Sequence, residues 1–205
     1  MKPDSNTIIK RYNRLAPYYD GMEAILEGLV FSRWRKRLWA KVKGEHILEV
    51  GVGTGKNFRY YPKDARVTAM DFSPKMLERA QQHQARKNIE VHLDLMDVEQ
   101  LYYADNSFDT VVATFVFCSV PAPRKGLREL YRVCKPGGQV ILLEHVLSSN
   151  RFLAAMMRLL NPLVLAAVGA NINRQTVKNV QACGFNQVLI DARSGDIIKL
   201  IQAYK

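Results

Sequence analysis

Cysteine is scarce in this chain, and the spacing of the few cysteines excludes two common uses of the residue. Cys118, Cys134 and Cys183 are the only three among 205 residues, and they form no C-x-x-C pair. Structural zinc sites and disulfide frameworks need cysteines in close pairs or in larger even numbers. We expect neither, and this cysteine usage favours a reducing, cytoplasmic compartment. A secretory signal is not expected either, because residues 1–13 are polar.

Long apolar runs are scarce as well, which argues against a membrane-spanning helix. The most apolar stretch, residues 150–170, is interrupted by Arg158 and by the pair Asn161–Pro162, where we expect a break. The clean run after this proline, LVLAAV, is far shorter than the roughly 20 residues of a membrane span. The chain also lacks repeats and low-complexity linkers, so residues 1–205 are predicted to form one domain.

Acidic residues are few in relation to basic ones. Thirty Lys and Arg stand against nineteen Asp and Glu, which leaves a net charge of +11. A surface of this charge attracts polyanions, either nucleic acid or an anionic bilayer. The alternative is a basic surface that is merely solvated.

The centre of the chain alternates strand-like and helix-like segments. Predicted strands are HILEV (46–50), RVTAM (66–70), IEVHL (89–93), TVVATF (110–115) and QVILLEHV (139–146). Predicted helices are 74–86, with Ser73 as N-cap, and 124–134. This alternation predicts an α/β fold with a mostly parallel sheet and helices on both faces. Residues 186–193 and 196–205, around a turn at Ser194–Gly195, predict a closing antiparallel hairpin.

Two segments lie outside this scaffold. Residues 1–43 are helix-rich and are predicted to form an N-terminal lid. Within them, residues 22–42 place Trp34 and Trp39 among arginines, a pattern typical of a helix that lies on a membrane surface. The apolar insert 150–170 follows the fifth strand and is predicted to cover a substrate. For both segments the alternative is plain packing onto the sheet.

The first predicted strand runs into a glycine-rich turn, LEVGVGTG. Gly51, Gly53 and Gly55 would let a ligand approach the backbone, but Lys56 stands where a dinucleotide-binding fingerprint needs its third glycine. A carboxylate at Glu49 would repel a pyrophosphate and suits a cationic ligand. Asp71 ends the next strand, at the spacing of a carboxylate that binds ribose hydroxyls. A ribose without phosphate, joined to a cation, fits S-adenosylmethionine.

Several motifs stand in the order that class I S-adenosylmethionine-dependent methyltransferases use. They are LEVGVGTG (48–55), MDFSPKML (70–77), LMDVEQLYYADNSFDTVVATFVF (95–117) and LRELYRVCKPGGQVILLEHV (127–146). With the closing hairpin, the chain resembles this family over nearly its whole length. The resemblance implies a Rossmann-like sheet of seven mostly parallel strands with a C-terminal antiparallel hairpin. It also implies that the three glycines approach the methionine part of the donor, with Glu49 orienting its ammonium through the loop.

The same resemblance assigns the rest of the donor site. Asp71 would bind the ribose, and Phe72 and Met76 would flank the adenine. Asp97 and Val98 would lie beside the adenine amino edge. Thr114 would lie near the methionine carboxylate. For Phe72, Met76 and Val98 ordinary core packing is the alternative.

Two residues are candidates for a catalytic role. Tyr19 belongs to RLAPYYD (14–20), which resembles an element that closes the donor site in several small methyltransferases. His145 ends the fifth strand, at the sheet edge where open α/β sheets bind ligands. The alternative for His145 is a hydrogen-bonded structural histidine. Cys118 lies at the same edge and is either a pocket residue or a buried, inert thiol.

The acceptor is predicted to be hydrophobic and bound to a membrane. The pattern Y-x-x-L-A-P-Y-Y-D with LEVGVGTG and KPGG resembles small bacterial phospholipid N-methyltransferases, which implies phosphatidylethanolamine. Quinone C-methyltransferases share much of the pattern, and LLEHV is close to membrane-associated thiol S-methyltransferases, so both acceptors remain alternatives. We expect a cytoplasmic protein that associates peripherally with an anionic membrane surface, and no protein partner is inferred.

Nucleic acid is the more distant alternative for a chain of this charge. The D/N-P-P-Y/F tetrapeptide of amino-directed nucleic-acid methyltransferases is absent, and ATFVFCSV (113–120) stands in its place. An RNA methyltransferase or RNA-binding protein is therefore not the favoured interpretation.

Overall fold

The structure of the protein, a computed structural model, describes residues 5–191 and 195–205. Two helices precede the sheet, α1 (Ser5–Leu26) and α2 (Ser32–Trp39), joined by a π-helical turn, Glu27–Phe31. The strands are β1 (His46–Val50), β2 (Arg66–Asp71), β3 (His92–Leu95), β4 (Phe108–Thr114), β5 (Cys134–His145), β6 (Gln187–Ile190) and β7 (Ile198–Tyr204). The other helices are α3 (Pro74–Lys87), α4 (Pro123–Val133), α5 (Arg151–Val168) and α6 (Thr176–Gln181).

The strands form one seven-stranded sheet in the order β3-β2-β1-β4-β5-β7-β6. Strands β1 to β5 pair in parallel, and β7 lies antiparallel between β5 and β6. The predicted fold class is confirmed. The order reverses beside β1, which pairs with β2 on one side and β4 on the other. In open α/β sheets a crevice forms at this point, outside the carboxyl ends of the strands.

The central strands β1 and β4 are buried without alternation because both faces of the sheet are covered there. Side chains of successive strand residues point to opposite faces, so Ile47 packs into one core cluster and Leu48 into the other. Helix α4 closes the Leu48 side with Leu127 and Leu130. On the Ile47 side, α2 contributes Leu38 and α3 contributes Leu77.

Some predicted boundaries are wrong. The third strand begins at His92, because α3 ends with Asn88 in a left-handed conformation and the chain needs the next residues to turn. The expected break at Asn161–Pro162 is absent, since α5 runs through Pro162. A proline inside a helix removes one backbone hydrogen bond, and here the surrounding bonds maintain the helix. In the predicted hairpin turn, Ser194 lies outside the described residues.

Candidate functional site

A cleft lies at the carboxyl ends of β1, β2 and β4, where the strand order reverses. It encloses about 670 Å³, part of which is open to solvent. The predicted site residues that line it are Tyr19, Gly51, Gly53, Asp71, Phe72, Met76, Asp97, Val98 and Thr114. The cleft has further lining residues that were not predicted as site residues, namely Tyr12, Phe115, Val116, Ser119, Val120 and Pro121. Most of these missed residues come from one turn after β4.

The three glycines of the turn after β1 differ in the space around them. All have positive φ angles, which favour glycine. A Cβ on Gly51 would lie 2.4 Å from Val116 Cγ2, and one on Gly55 would lie 2.4 Å from the Phe58 ring. A Cβ on Gly53 would meet no described atom within 4 Å. Packing therefore explains Gly51 and Gly55, whereas Gly53 leaves its backbone open towards the cleft. Gly55, predicted to approach a ligand, packs behind the loop.

Asp71 ends β2 and holds the loops on both sides of the cleft. Its Oδ2 accepts the Gly53 N–H at 2.9 Å, and its Oδ1 accepts the Ser73 N–H at 2.9 Å. Burial raises the pKa of Asp71 to about 6, although these hydrogen bonds oppose the shift. Each carboxylate oxygen can accept a second hydrogen bond. Asp71 therefore fits a ligand with two neighbouring hydroxyls, such as the ribose of a nucleoside.

An apolar slot continues from Asp71. Phe72 lies in edge contact with the Tyr12 ring, their centroids 5.6 Å apart, and Met76 and Val98 are buried beside it. Ser73 caps α3 as predicted, accepting the Met76 N–H at 3.2 Å. This cap fixes the start of α3 and with it the position of Met76. Flat apolar walls of this kind suit the faces of an adenine ring.

Glu49 lies behind the cleft. It is 1% exposed, and its carboxylate accepts hydrogen bonds from the Asn57 amide at 2.5 Å and from the Tyr61 hydroxyl. Burial raises the pKa of Glu49 to about 7, against the effect of these two bonds and of Arg35. Any influence of Glu49 on a ligand in the cleft must pass through its neighbours. Its predicted role in orienting an ammonium stays a prediction.

A buried polar network connects this carboxylate to the N-terminal segment. Besides Glu49, the Asn57 amide also contacts Thr114, donating to its Oγ1 at 3.1 Å, and accepts from Arg35 Nη1 at 3.0 Å. Arg35 in turn pairs with Glu27 at 3.1 Å. Asn57 and Arg35 were not predicted as site residues, since Arg35 stands in a run of basic residues that all resemble solvated ones. The network ties α2 to the wall of the cleft.

Helix α2 is not free to lie on a membrane. Leu38 is 0% exposed and Trp39 5% exposed, because the apolar side of the helix packs into the core. Arg35 is buried as well, and Arg33 and Lys36 remain at the surface. For Ser32–Trp39, this packing conflicts with the predicted membrane-surface role of residues 22–42, whereas the side chains of residues 22–26, 28 and 29 lie outside the described ones. The apolar residues of α2 already have partners within the fold.

Of the two predicted catalytic residues, Tyr19 and His145, the first lines the cleft and the second does not. Tyr19 lines the cleft, with Lys56 Nζ 5.0 Å from the centre of its ring. His145 instead stacks on Phe115, their ring centres 4.8 Å apart, and lies behind this cleft residue. Cys118 is buried, and burial raises the pKa of its thiol, as expected of an inert cysteine. Catalytic roles for Tyr19 and His145 stay predictions.

The C-terminal half of helix α5 contacts segments that border the cleft, and the helix turns an apolar ridge to solvent. The ridge comprises Phe152, Leu153, Met156, Leu159, Leu160 and Leu163, which are between 39% and 77% exposed. At the end of the helix, the Leu165 carbonyl accepts from Arg11 Nη1 at 2.7 Å, next to the cleft residue Tyr12. The predicted cover is thus beside the cleft with its apolar side facing outward. Across the described residues, no helix is long and apolar enough to span a bilayer.

Known proteins share this sequence pattern. Residues 48–142 match a family model described as a methyltransferase domain. The phosphatidylethanolamine N-methyltransferase of Cereibacter sphaeroides is 34% identical over 157 residues, which are 76% of this chain and 76% of that relative. The chain belongs to the S-adenosylmethionine-dependent methyltransferases. S-Adenosylmethionine is its cofactor, and the cleft at the carboxyl ends of the strands offers a carboxylate, Asp71, and an apolar slot that would suit this nucleoside.

Other relatives of this methyltransferase act on different acceptors. Thiol S-methyltransferase TMT1B of Rattus norvegicus is 35% identical over 150 residues, which are 71% of this chain and 62% of that relative. The ubiquinone/menaquinone biosynthesis C-methyltransferase of Bdellovibrio bacteriovorus is 30% identical over 179 residues, 84% of this chain and 76% of that relative. The solved methyltransferase SibL, 22% identical, has the same fold, with a TM-score of 0.70 over 95% of this chain and 61% of SibL.

Proposed function

We propose that this methyltransferase transfers a methyl group to the amine of phosphatidylethanolamine, working as a peripheral protein on the cytoplasmic side of an anionic membrane. The observation that carries the proposal is the exposed apolar ridge of α5 beside the donor cleft. Soluble proteins rarely expose a contiguous apolar patch without a partner for it. A membrane would cover the ridge and bring its lipids to the cleft.

Charge supports an anionic membrane as this partner. Helix α5 carries Arg151 and Arg158 and no acidic residue. Both arginines are exposed, and the whole chain has a net charge of +11. Each basic residue near an anionic bilayer contributes about 1 kcal/mol to the free energy of membrane binding. The apolar ridge would enter the membrane interface.

The residues of the cleft would have different roles in methyl transfer. S-Adenosylmethionine supplies a methyl group on a sulfonium, already activated for in-line displacement. Asp71 would hold the ribose hydroxyls, and the backbone at Gly53 would lie against the donor. Tyr19 and the turn after β4 would exclude water and align the acceptor. An ammonium acceptor must lose its proton before it can attack, so we expect the transfer rate to rise with pH.

Quinone and small-thiol acceptors are the second candidates, because relatives of similar identity act on them. A membrane-bound quinone would also explain the ridge, whereas a water-soluble thiol would not need it. The identity of the acceptor and the docking to a membrane can therefore be tested by independent experiments.

The test incubates the protein and S-adenosylmethionine, labelled on its methyl group, with vesicles of phosphatidylethanolamine and phosphatidylglycerol. Parallel reactions contain quinone, thiol or RNA pools instead of the vesicles. We expect label in phosphatidylethanolamine, with transfer falling when phosphatidylglycerol is replaced by a neutral lipid. Label in quinone, thiol or RNA, with none in phosphatidylethanolamine, would contradict the proposed acceptor.

A second arm tests docking with matched variants. Leu159→Asp and Leu163→Asp place charges on the ridge, whereas Leu189→Asp alters an exposed leucine on the edge strand β6. We expect the ridge variants to lose vesicle pelleting and keep donor affinity, with the β6 variant unchanged. Ridge variants that pellet like the wild type would contradict docking through α5.

A further inference from the structure

Glu144, near the end of β5, is a fully buried carboxyl outside the chemistry described so far. It is 0% exposed, and its Oε1 accepts the N–H of Val116 at 2.9 Å and that of Phe117 at 3.0 Å. Its Oε2 has no hydrogen-bond partner among the residues that the structure describes. Burial of a carboxyl is unfavourable, so a buried one at a sheet edge near a cleft calls for an explanation.

The two N–H groups belong to the turn that forms one wall of the cleft. Phe115 begins this turn with a φ of 58°, a left-handed conformation that is strained for a residue with a side chain. The Ser119 N–H then closes the turn on the Val116 carbonyl at 3.0 Å. Phe115, Val116 and Ser119 all line the cleft. Glu144 therefore accepts hydrogen bonds from the inner side of a strained turn, and the outer side of the same turn faces the cofactor site.

The turn also packs against the glycine turn after β1, which lines the cleft as well. The side chain of Val116 fills the space that a Cβ on Gly51 would need, 2.4 Å from Val116 Cγ2. The turn is also bonded to the segment after α5: Asn171 donates its backbone N–H to the Cys118 carbonyl at 2.8 Å, and Arg174 Nη2 donates to the Val120 carbonyl at 2.6 Å. Glu144 and this segment thus both hold the turn in place.

We propose that Glu144 is a positioning residue that sets the wall of the donor cleft, and with it donor affinity, by accepting the two N–H groups of the turn. It acts without touching the donor. The proposal holds for any acceptor and so does not depend on the lipid assignment.

The turn needs from residue 144 a side-chain oxygen that reaches the N–H groups of both Val116 and Phe117. Burial raises the pKa of Glu144 to about 8, so at neutral pH the group is largely uncharged and still accepts both bonds. A glutamine places its amide oxygen where Oε1 lies. An aspartate keeps the acid but is one methylene shorter, so its oxygen cannot reach both N–H groups without movement of the turn.

The test compares Glu144→Gln with Glu144→Asp. We expect Glu144→Gln to bind the demethylated donor, S-adenosylhomocysteine, within about threefold of the wild type, and Glu144→Asp to bind it about tenfold more weakly, the loss of one hydrogen bond. The KM for S-adenosylmethionine should rise in the aspartate variant, with the KM for acceptor unchanged. Titration calorimetry and steady-state kinetics measure these values.

Asp109 provides the matched control. Its Oδ2 accepts two consecutive N–H groups, from Glu45 at 3.0 Å and His46 at 2.8 Å, at the sheet edge opposite the cleft. We expect Asp109→Ala to lower the melting temperature and leave donor affinity unchanged. The proposal is overturned if Glu144→Gln weakens donor binding as much as Glu144→Asp, if neither variant changes it, or if Asp109→Ala weakens it equally.

Discussion

Replacing Gly53 by alanine tests whether the ligand needs this glycine, and Gly137 provides a matched control. Gly53 and Gly137 have φ angles of 57° and 76°, and a Cβ on either would meet no described atom within 4 Å. Alanine in this conformation costs roughly 1–2 kcal/mol at each position, with no clash to add. For a chain of this size, both variants should melt roughly 2–8 °C below the wild type.

Donor binding should distinguish the two variants. Gly53 lines the cleft, and its new methyl group has open space around it, so we expect this group to occupy space that the donor needs. Gly137 lies at the other sheet edge, where its N–H donates to the Lys205 carbonyl at 2.9 Å. We expect Gly53→Ala to bind S-adenosylhomocysteine at least about tenfold more weakly than Gly137→Ala, which should match the wild type.

Calorimetric titration and thermal melting, run on the same preparations, make the comparison. Equal affinity of the two alanine variants would refute the placement of the donor against Gly53. A melting temperature for Gly53→Ala far below that of Gly137→Ala would refute the inference that its Cβ has free space.

Two further predictions concern the network behind the cleft. Because burial raises the pKa of Glu49 from 4.5 to about 7, the folded chain holds this proton more tightly than the unfolded chain. Folding therefore becomes less favourable as pH rises through this interval, by up to about 3 kcal/mol, and the wild type should lose more stability than Glu49→Gln in urea unfolding between about pH 5 and 8. Parallel curves would contradict the burial of an acid there. Asn57→Ala removes the shared partner of Glu49, Thr114 and Arg35 and should lower the free energy of unfolding by about 2–4 kcal/mol. Wild-type stability of this variant by urea unfolding would show that the network is not stabilising.

The fold could be predicted because its signals are local. Strands such as HILEV and TVVAT are apolar without alternation, as a sheet covered on both faces requires. The cleft followed from topology, because residues at the carboxyl ends of neighbouring parallel strands must meet. Asp71, Thr114 and the glycine turn are at such ends, and the structure brings them together.

The remaining features depend on contacts between distant segments. Nothing within G-x-G-x-G shows that Gly51 packs against Val116 while Gly53 faces open space. Arg35 looks like its basic neighbours, and the π-helical turn Glu27–Phe31 precedes the helix that carries it inward. The apolar sequence of α5 predicted a substrate cover, but contacts of Asn161 and of the Leu165 carbonyl with distant segments decide that the ridge faces solvent.

The most direct test of the donor site is a titration of S-adenosylmethionine into the wild type and Asp71→Ala, with circular dichroism to confirm that both are folded. We expect the carboxylate of Asp71, which accepts one N–H on each oxygen, to accept two ribose hydroxyls as well, and loss of two such bonds is worth about 3 kcal/mol. We predict binding by the wild type and affinity roughly a hundredfold lower in the variant. Equal affinities in the two folded proteins would contradict the assignment of this cleft to the donor.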